Sequence, residues 1–143
     1  MEIHPFLPRP QRNIGQGRRV VLDQPISLKS LIEKLKARLG VKQLMVAAGE
    51  SAPARFTRIG ICAGAGGSLL DAAIRQDCEA FLTGEMRHHD LLAAQARGCT
   101  VLLAGHTNTE RGYLKVLRKR LVDLAKGAEV FMSKRDADPL KVM

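Results

Sequence analysis

Between residues 56 and 125 one arrangement recurs three times: a short apolar run, a glycine-bearing turn, then a segment with helical spacing. Phe56–Ala63, Gly64-Ala65-Gly66-Gly67-Ser68 and Leu69–Gln76 make the first unit. Glu79–Thr83, Gly84-Glu85 and Arg87–Arg97 make the second, and Thr100–Ala104, Gly105–Asn108 and Thr109–Ala125 the third. Successive strand–turn–helix units predict an α/β domain with a mixed, largely parallel sheet flanked by helices. In such sheets the loops that follow the strand ends gather along one edge, where ligands bind. Three loops are therefore expected to meet: Gly64–Ser68, Gly84–His89 and Gly105–Glu110.

The flanking sequence extends this frame. Ser27 is a good helix N-cap, Leu28, Leu31, Ile32, Leu35 and Leu39 recur at helical spacing, and Gly40 follows as a C′ glycine. Arg19–Leu22, Lys42–Ala48 and Glu129–Ser133 read as further strands, with Gly49–Arg55 a polar turn. Pro5, Pro8, Pro10, Gly15 and Gly17 make residues 1–18 a loosely ordered lead-in, and residues 19–143 form the domain. A chain of 143 residues fits one domain. With aromatics at 3% and no Trp, its core must be aliphatic.

Composition narrows the function classes. No apolar run approaches the roughly 20 residues that cross a bilayer, and the Pro- and Arg-rich start lacks the apolar region of a signal peptide. Cys62, Cys78 and Cys99 are odd in number and form no CxxC pair, so they read as thiols of a reducing compartment. A cytoplasmic protein is expected, the nucleus and mitochondrion being left open. The net charge of +9 permits attraction to nucleotides, phosphates or nucleic acid. It is dispersed, however, and the densest stretch, Lys115–Arg120, also reads as the solvated face of a helix. With one Tyr and four Phe, the stacking platforms of single-strand nucleic-acid binders are scarce.

Each of the three loops carries a chemical reading beside a plain one. Gly64, Gly66, Gly67 and Ser68 let a backbone approach a ligand closely at a helix start, which suits a phosphate; equally they suit a tight strand-to-helix turn. The second loop crowds Glu85, Arg87, His88, His89 and Asp90 together. Glu85 could serve as a base or an outer-shell group of a metal, and His88 or His89 could face substrate; a salt bridge and an exposed first helical turn explain the same residues. Neighbouring helical residues point about 100° apart, so His88 and His89 are not expected to share one ion. In the third loop His106 follows an apolar strand and Glu110 lies four residues on. If the next helix begins near Asn108 or Thr109, both side chains converge above the strand end. Imidazole plus carboxylate suits Zn²⁺, Mn²⁺ or Fe²⁺, whereas a Glu at a helix start also interacts favourably with the helix dipole. Two ligands do not complete a catalytic site, which normally needs three protein ligands.

Read together, LTGEMRHHD (Leu82–Asp90), AGHTNTERG (Ala104–Gly112) and RDADPL (Arg135–Leu140) resemble the C-terminal part of the Nif-three-like family. These are homologues of the Ngg-one-interacting factor three, also described as dinuclear metal-centre hexameric proteins or type 2 GTP cyclohydrolase I homologues. The 64–68 loop after Ile59–Ala63 fits the same pattern, as does Ile14-Gly15-Gln16-Gly17-Arg18-Arg19. The wording of the motifs is similar to the eukaryotic-type branch. The resemblance implies one half of a two-domain fold whose halves enclose two metal ions, and assembly into hexameric rings. It implies His106 and Glu110 as metal ligands, the rest being a His-His pair followed by Pro, and an Asp, from an N-terminal half that this sequence lacks. His88-His89 precede Asp90 and match a different motif.

The resulting expectation is a C-terminal domain that contributes a half-site to a dinuclear centre. The complete protein would be a metal-dependent hydrolase of a nucleotide-like substrate, and this chain alone would be inactive. Self-association and a nucleotide or phosphate ligand follow as expected partners. The competing expectation is a non-enzymatic interaction or assembly module that binds protein or nucleic acid through its basic helix.

Overall fold

The computed structural model describes residues 1–4, 6–8 and 15–140. Pro5, Pro10 and Ile14, which enter the sequence reading, lie outside the described residues. In chain order the elements are β1 (Glu2–His4), β2 (Leu7–Pro8), β3 (Gly15–Gln16), β4 (Arg18–Ser27), α1 (Leu28–Leu39), β5 (Met45–Ala47) and β6 (Arg55–Ala65). A 3-10 turn (Gly67–Leu69) then leads into α2 (Leu70–Arg75), followed by β7 (Ala80–Glu85), α3 (His88–Ala96) and β8 (Thr100–Leu103). The chain continues through α4 (His106–Glu110), a second 3-10 turn (Arg111–Tyr113) and α5 (Leu114–Leu124).

Six strands form one sheet in the order β1-β4-β6-β7-β8-β5. The central β6, β7 and β8 pair in parallel, as the repeated units predict. β4 pairs antiparallel to β6, β1 antiparallel to β4, and β5 antiparallel to β8. Four strands thus run one way and two the other, an α/β domain with a mixed, mostly parallel sheet. β2 and β3 form a separate antiparallel ribbon.

Side chains alternate across a strand, so each central strand supplies both faces. Phe81, Val101 and Leu103 join Leu69, Leu70, Ala73 and Ala94 beneath α2 and α3. Ala80, Leu82, Leu102 and Ala104 join Phe56, Ile59 and Leu31 beneath α1. The caps of α1 are those its sequence announces: Ser27 Oγ accepts from the Ser30 amide, and Gly40 takes φ +69°.

Five expectations need correction. The core is not purely aliphatic, because Phe6, Phe56 and Phe81 are its largest fully buried side chains. The lead-in is not loose where it is described: β1 is an edge strand of the main sheet, and Phe6, 2% exposed, sits 6.0 Å from Phe81, ring centre to ring centre. Expected strand 42–48 shrinks to Met45–Ala47. Glu129–Ser133 is not a strand, because β5 already occupies the sheet position beside β8. The segment instead runs back along α5, where Arg118 Nε donates to the Val130 carbonyl at 2.9 Å. The long helix expected over 109–125 begins at His106, breaks into a 3-10 turn at Arg111–Tyr113 around Gly112, and resumes as α5, none of whose residues is buried.

Candidate functional site

The three loops do meet, and the backbone shows how. Hydrogen bonding to β7 continues past the end of β8: Ala104 N–H donates to Thr83 O at 3.0 Å, and Gly105 N–H to Gly84 O at 2.9 Å. Gly66 N–H donates to Glu85 O at 3.3 Å. On the β6 side the Gly64 amide donates to Thr109 Oγ1 at 2.9 Å, and the fully buried Thr83 hydroxyl donates to the Gly64 carbonyl at 2.9 Å. Thr109 in turn donates to His106 O at 2.8 Å. Two hydroxyls therefore bolt the glycine loop to β7 and α4. Neither Thr83 nor Thr109 stands out in the sequence; nothing in a lone Thr signals which loop it will bridge.

Two glycines let α4 settle onto the strand ends. Gly64 has φ +68°, a conformation that L side chains rarely adopt, and a Cβ there would collide with the Glu110 carboxylate. A Cβ on Gly84 would lie 2.7 Å from His106 Cα. The helix starts earlier than the sequence suggests, with His106 in its first turn and Gly105 before it at φ +89°. His106 and Glu110 are consequently separated by one helical turn and face each other, Nε2 to Oε2 at 3.3 Å. Glu85, the last residue of β7, approaches from the other side, its Oε1 2.9 Å from His106 Nδ1. The imidazole is held between two carboxylates, all three side chains about half exposed. The Glu85 hydrogen bond is the main cause of a raised His106 pKa, with the nearby Glu110 charge adding to it against some desolvation.

Other predicted site residues fall elsewhere. His88 and His89 open α3, are exposed, and stack edge-on to one another with ring centres 6.1 Å apart. No hydrogen bond joins either of them to His106 or Glu110 among the described residues. Asp90 is taken by Arg87, whose Nε donates to it at 3.0 Å. A shallow cleft beside Glu85 is lined by Ala65, Gly67, Ser68, Met86, Arg87 and Asp90. In the glycine loop the amides of Gly64 and Gly66 have protein partners, and Asp90 Oδ2 stands 2.7 Å from where a Gly67 Cβ would be, so carboxylates border the loop. Among the described residues no group of three or more His, Cys, Asp or Glu has the arrangement to hold a metal ion. His106 and Glu110 are a pair, and Glu85 binds the far nitrogen of the ring.

The Duf34/NIF3 (NGG1p interacting factor 3) family profile matches residues 2–139. The chain belongs to this family. Among its relatives, the NIF3 homologue of Schizosaccharomyces pombe is 38% identical over 134 residues, covering 90% of this chain and 47% of that protein. NIF3-like protein 1 of Rattus norvegicus is 39% identical over 132 residues, covering 90% of this chain and 34% of that one. The crystal structure of a Bacillus cereus protein related to NIF3 superposes with a TM-score of 0.75 over 96% of this chain and 38% of its own, at 20% identity, which shows a shared fold. The chain thus spans half or less of the length of these NIF3 relatives. No helix among the described residues is long and apolar enough to cross a membrane.

Proposed function

We propose that this NIF3-family domain contributes half of a divalent-metal site, with His106 and Glu110 as ligands and Glu85 as the group that orients the ring. The observation that carries this reading is the two-sided grip on His106. A ligating histidine usually donates its second ring N–H to a carboxylate, which fixes tautomer and orientation. Glu85 fills that role at Nδ1, while Nε2 and the Glu110 carboxylate face one point. Borderline ions such as Zn²⁺, Mn²⁺ or Fe²⁺ suit this pair of donors.

The remaining ligands come from the other half of the family fold, so the chain by itself holds an ion weakly. In the completed site a bound divalent ion would act as a Lewis acid toward a phosphoryl or carbonyl oxygen. The reaction class that fits is hydrolysis of a nucleotide-like substrate, with the cleft beside Glu85 as its approach. His106 and Glu110 bind; Glu85 keeps the imidazole from rotating away.

Competition with a chromophoric chelator tests the half-site. Zn²⁺ and Mn²⁺ uptake should be measurable in the chain, stronger when the N-terminal half is supplied, and lost in His106→Ala and Glu110→Ala. Uptake that persists in both variants, or none with both halves present, overturns the reading. Turnover of nucleoside triphosphates by the complete protein tests the hydrolase assignment.

A second reading, an assembly module, has one observation in its favour. α5 buries no residue and leaves Val116, Val122 and Leu124 exposed. Sedimentation equilibrium addresses self-association. A salt titration addresses nucleic acid, since phosphate contacts weaken steeply with salt.

A further inference from the structure

The RDADPL run has no part in the site so far, yet it reaches the site's supporting helix. α5 leads away from the sheet, and residues 126–140 return along it as a strap. The strap lies over Leu114, Leu117 and Leu121, with Val130 and Met132 facing them across a crevice. Its outer end is held where Arg118 donates to the Val130 carbonyl. Its inner end is held where Arg111 Nη1 donates to the Asp136 carboxylate.

Arg111 is the residue after Glu110, at the point where α4 gives way to a 3-10 turn. α4 has five residues, none of them fully buried, and it rests on the strand ends where Gly64 and Gly84 leave room for it. Two further side-chain anchors hold it, one on either flank of the Glu110 carboxylate. One is Thr109, bonded to the Gly64 amide. The other is Arg111, bonded to Asp136.

We infer that Asp136 is a positioning residue of the metal half-site: by holding Arg111 it fixes the helix junction that presents Glu110, and the strap thereby sets how tightly the site grips an ion. The metal part of this inference rests on the reading of His106 and Glu110 proposed above; the positioning part does not. Asp136 is exposed and Arg111 is about one-third exposed, and ion pairs open to solvent contribute little to global stability. The latch therefore acts locally, and local order is where its loss shows.

Hydrogen–deuterium exchange and metal titration of wild type, Asp136→Asn and the charge-swapped pair Arg111→Asp with Asp136→Arg provide the test. In Asp136→Asn the amides of residues 108–113 should exchange several-fold faster with the unfolding midpoint unchanged, and the swapped pair should recover protection. Zn²⁺ affinity should fall about three- to tenfold, less than the roughly 10- to 100-fold typical when the group touching a ligand is removed. Unchanged exchange over 108–113 in Asp136→Asn overturns the latch, as does faster exchange spread over the whole chain with a lowered midpoint. If wild type takes up no Zn²⁺ even with the N-terminal half present, the metal reading fails and the exchange result alone judges the latch.

Discussion

Glu85 Oε1 lies 2.9 Å from Nδ1 of His106, on the opposite side of the ring from Glu110. Without a metal, both nitrogens point at carboxylates and the protonated ring is favoured, so the His106 pKa is raised above its ordinary 6.5. A raised value means that the stabilisation is fully present below the unfolded-state pKa and is lost as pH rises through the folded one. NMR titration of the metal-free chain should show His106 titrating above 6.5, and lower in Glu85→Gln than in wild type. A divalent ion competes with the ring proton, so metal affinity should rise with pH through the same window. An identical His106 titration in Glu85→Gln would sink the orienting role.

Gly64 cannot accept a side chain. Gly64→Ala places a Cβ at φ +68° and against Glu110. The left-handed backbone alone costs about 1–2 kcal/mol. Urea unfolding should show at least that loss, together with displacement of the Glu110 resonances. A variant as stable as wild type, with Glu110 unmoved, contradicts the close approach of loop and helix.

At the opposite end of the sheet, Glu79 serves three donors. Its Oε2 accepts the amides of Thr57 and Arg58 at 2.6 and 2.9 Å, and its Oε1 accepts Arg58 Nη2 at 2.9 Å. Glu79→Ala strips partners from two strand amides, which should cost about 1–3 kcal/mol. Because the site is remote from His106, metal uptake by the folded variant should be unchanged. A change of less than a few tenths of a kcal/mol in denaturant unfolding would show that water replaces the carboxylate freely.

The cysteines differ in reactivity. Burial pushes the Cys99 thiol up to about 12 and the Cys78 thiol up to about 11. Cys62 is only partly buried, and its rise comes from desolvation and the Glu110 charge. At pH 8 a disulfide reagent should label Cys62 slowly and leave Cys78 and Cys99 unmodified until the chain unfolds. Rapid labelling of all three in the native protein would contradict the packing around Cys78 and Cys99.

Much of the fold is legible because local signals agree with tertiary ones. Ser27 and Gly40 bound α1 as their residue types predict, and the three apolar runs with glycine turns become β6, β7 and β8. The antiparallel margins are less legible, since Glu2–His4 and Met45–Ala47 are three-residue strands whose pairing depends on the neighbours they find. Val130-Phe131-Met132 has strand composition, but the place beside β8 is taken by β5. The candidate site is legible in His106, Glu110 and Glu85, whose residue types already single them out in the sequence. Its fastening is hidden. Thr83 and Thr109 act across 19 and 45 residues of sequence, and their role is visible only once the loops meet.

The hydrogen-bond ladder between β7 and β8 runs on past the end of β8 to Gly105, with a consequence for anyone wishing to recut this scaffold. Its surface connections are unequal. One residue inserted between Thr83 and Met86, or between Leu103 and His106, breaks the rungs that align Glu85 with the ring it orients. Around Gly127, by contrast, nothing packs within 4 Å of where a Cβ would stand, although its φ of +88° keeps the glycine itself in place. Foreign sequence belongs at that distal bend, and the two short connections under His106 should be treated as framework.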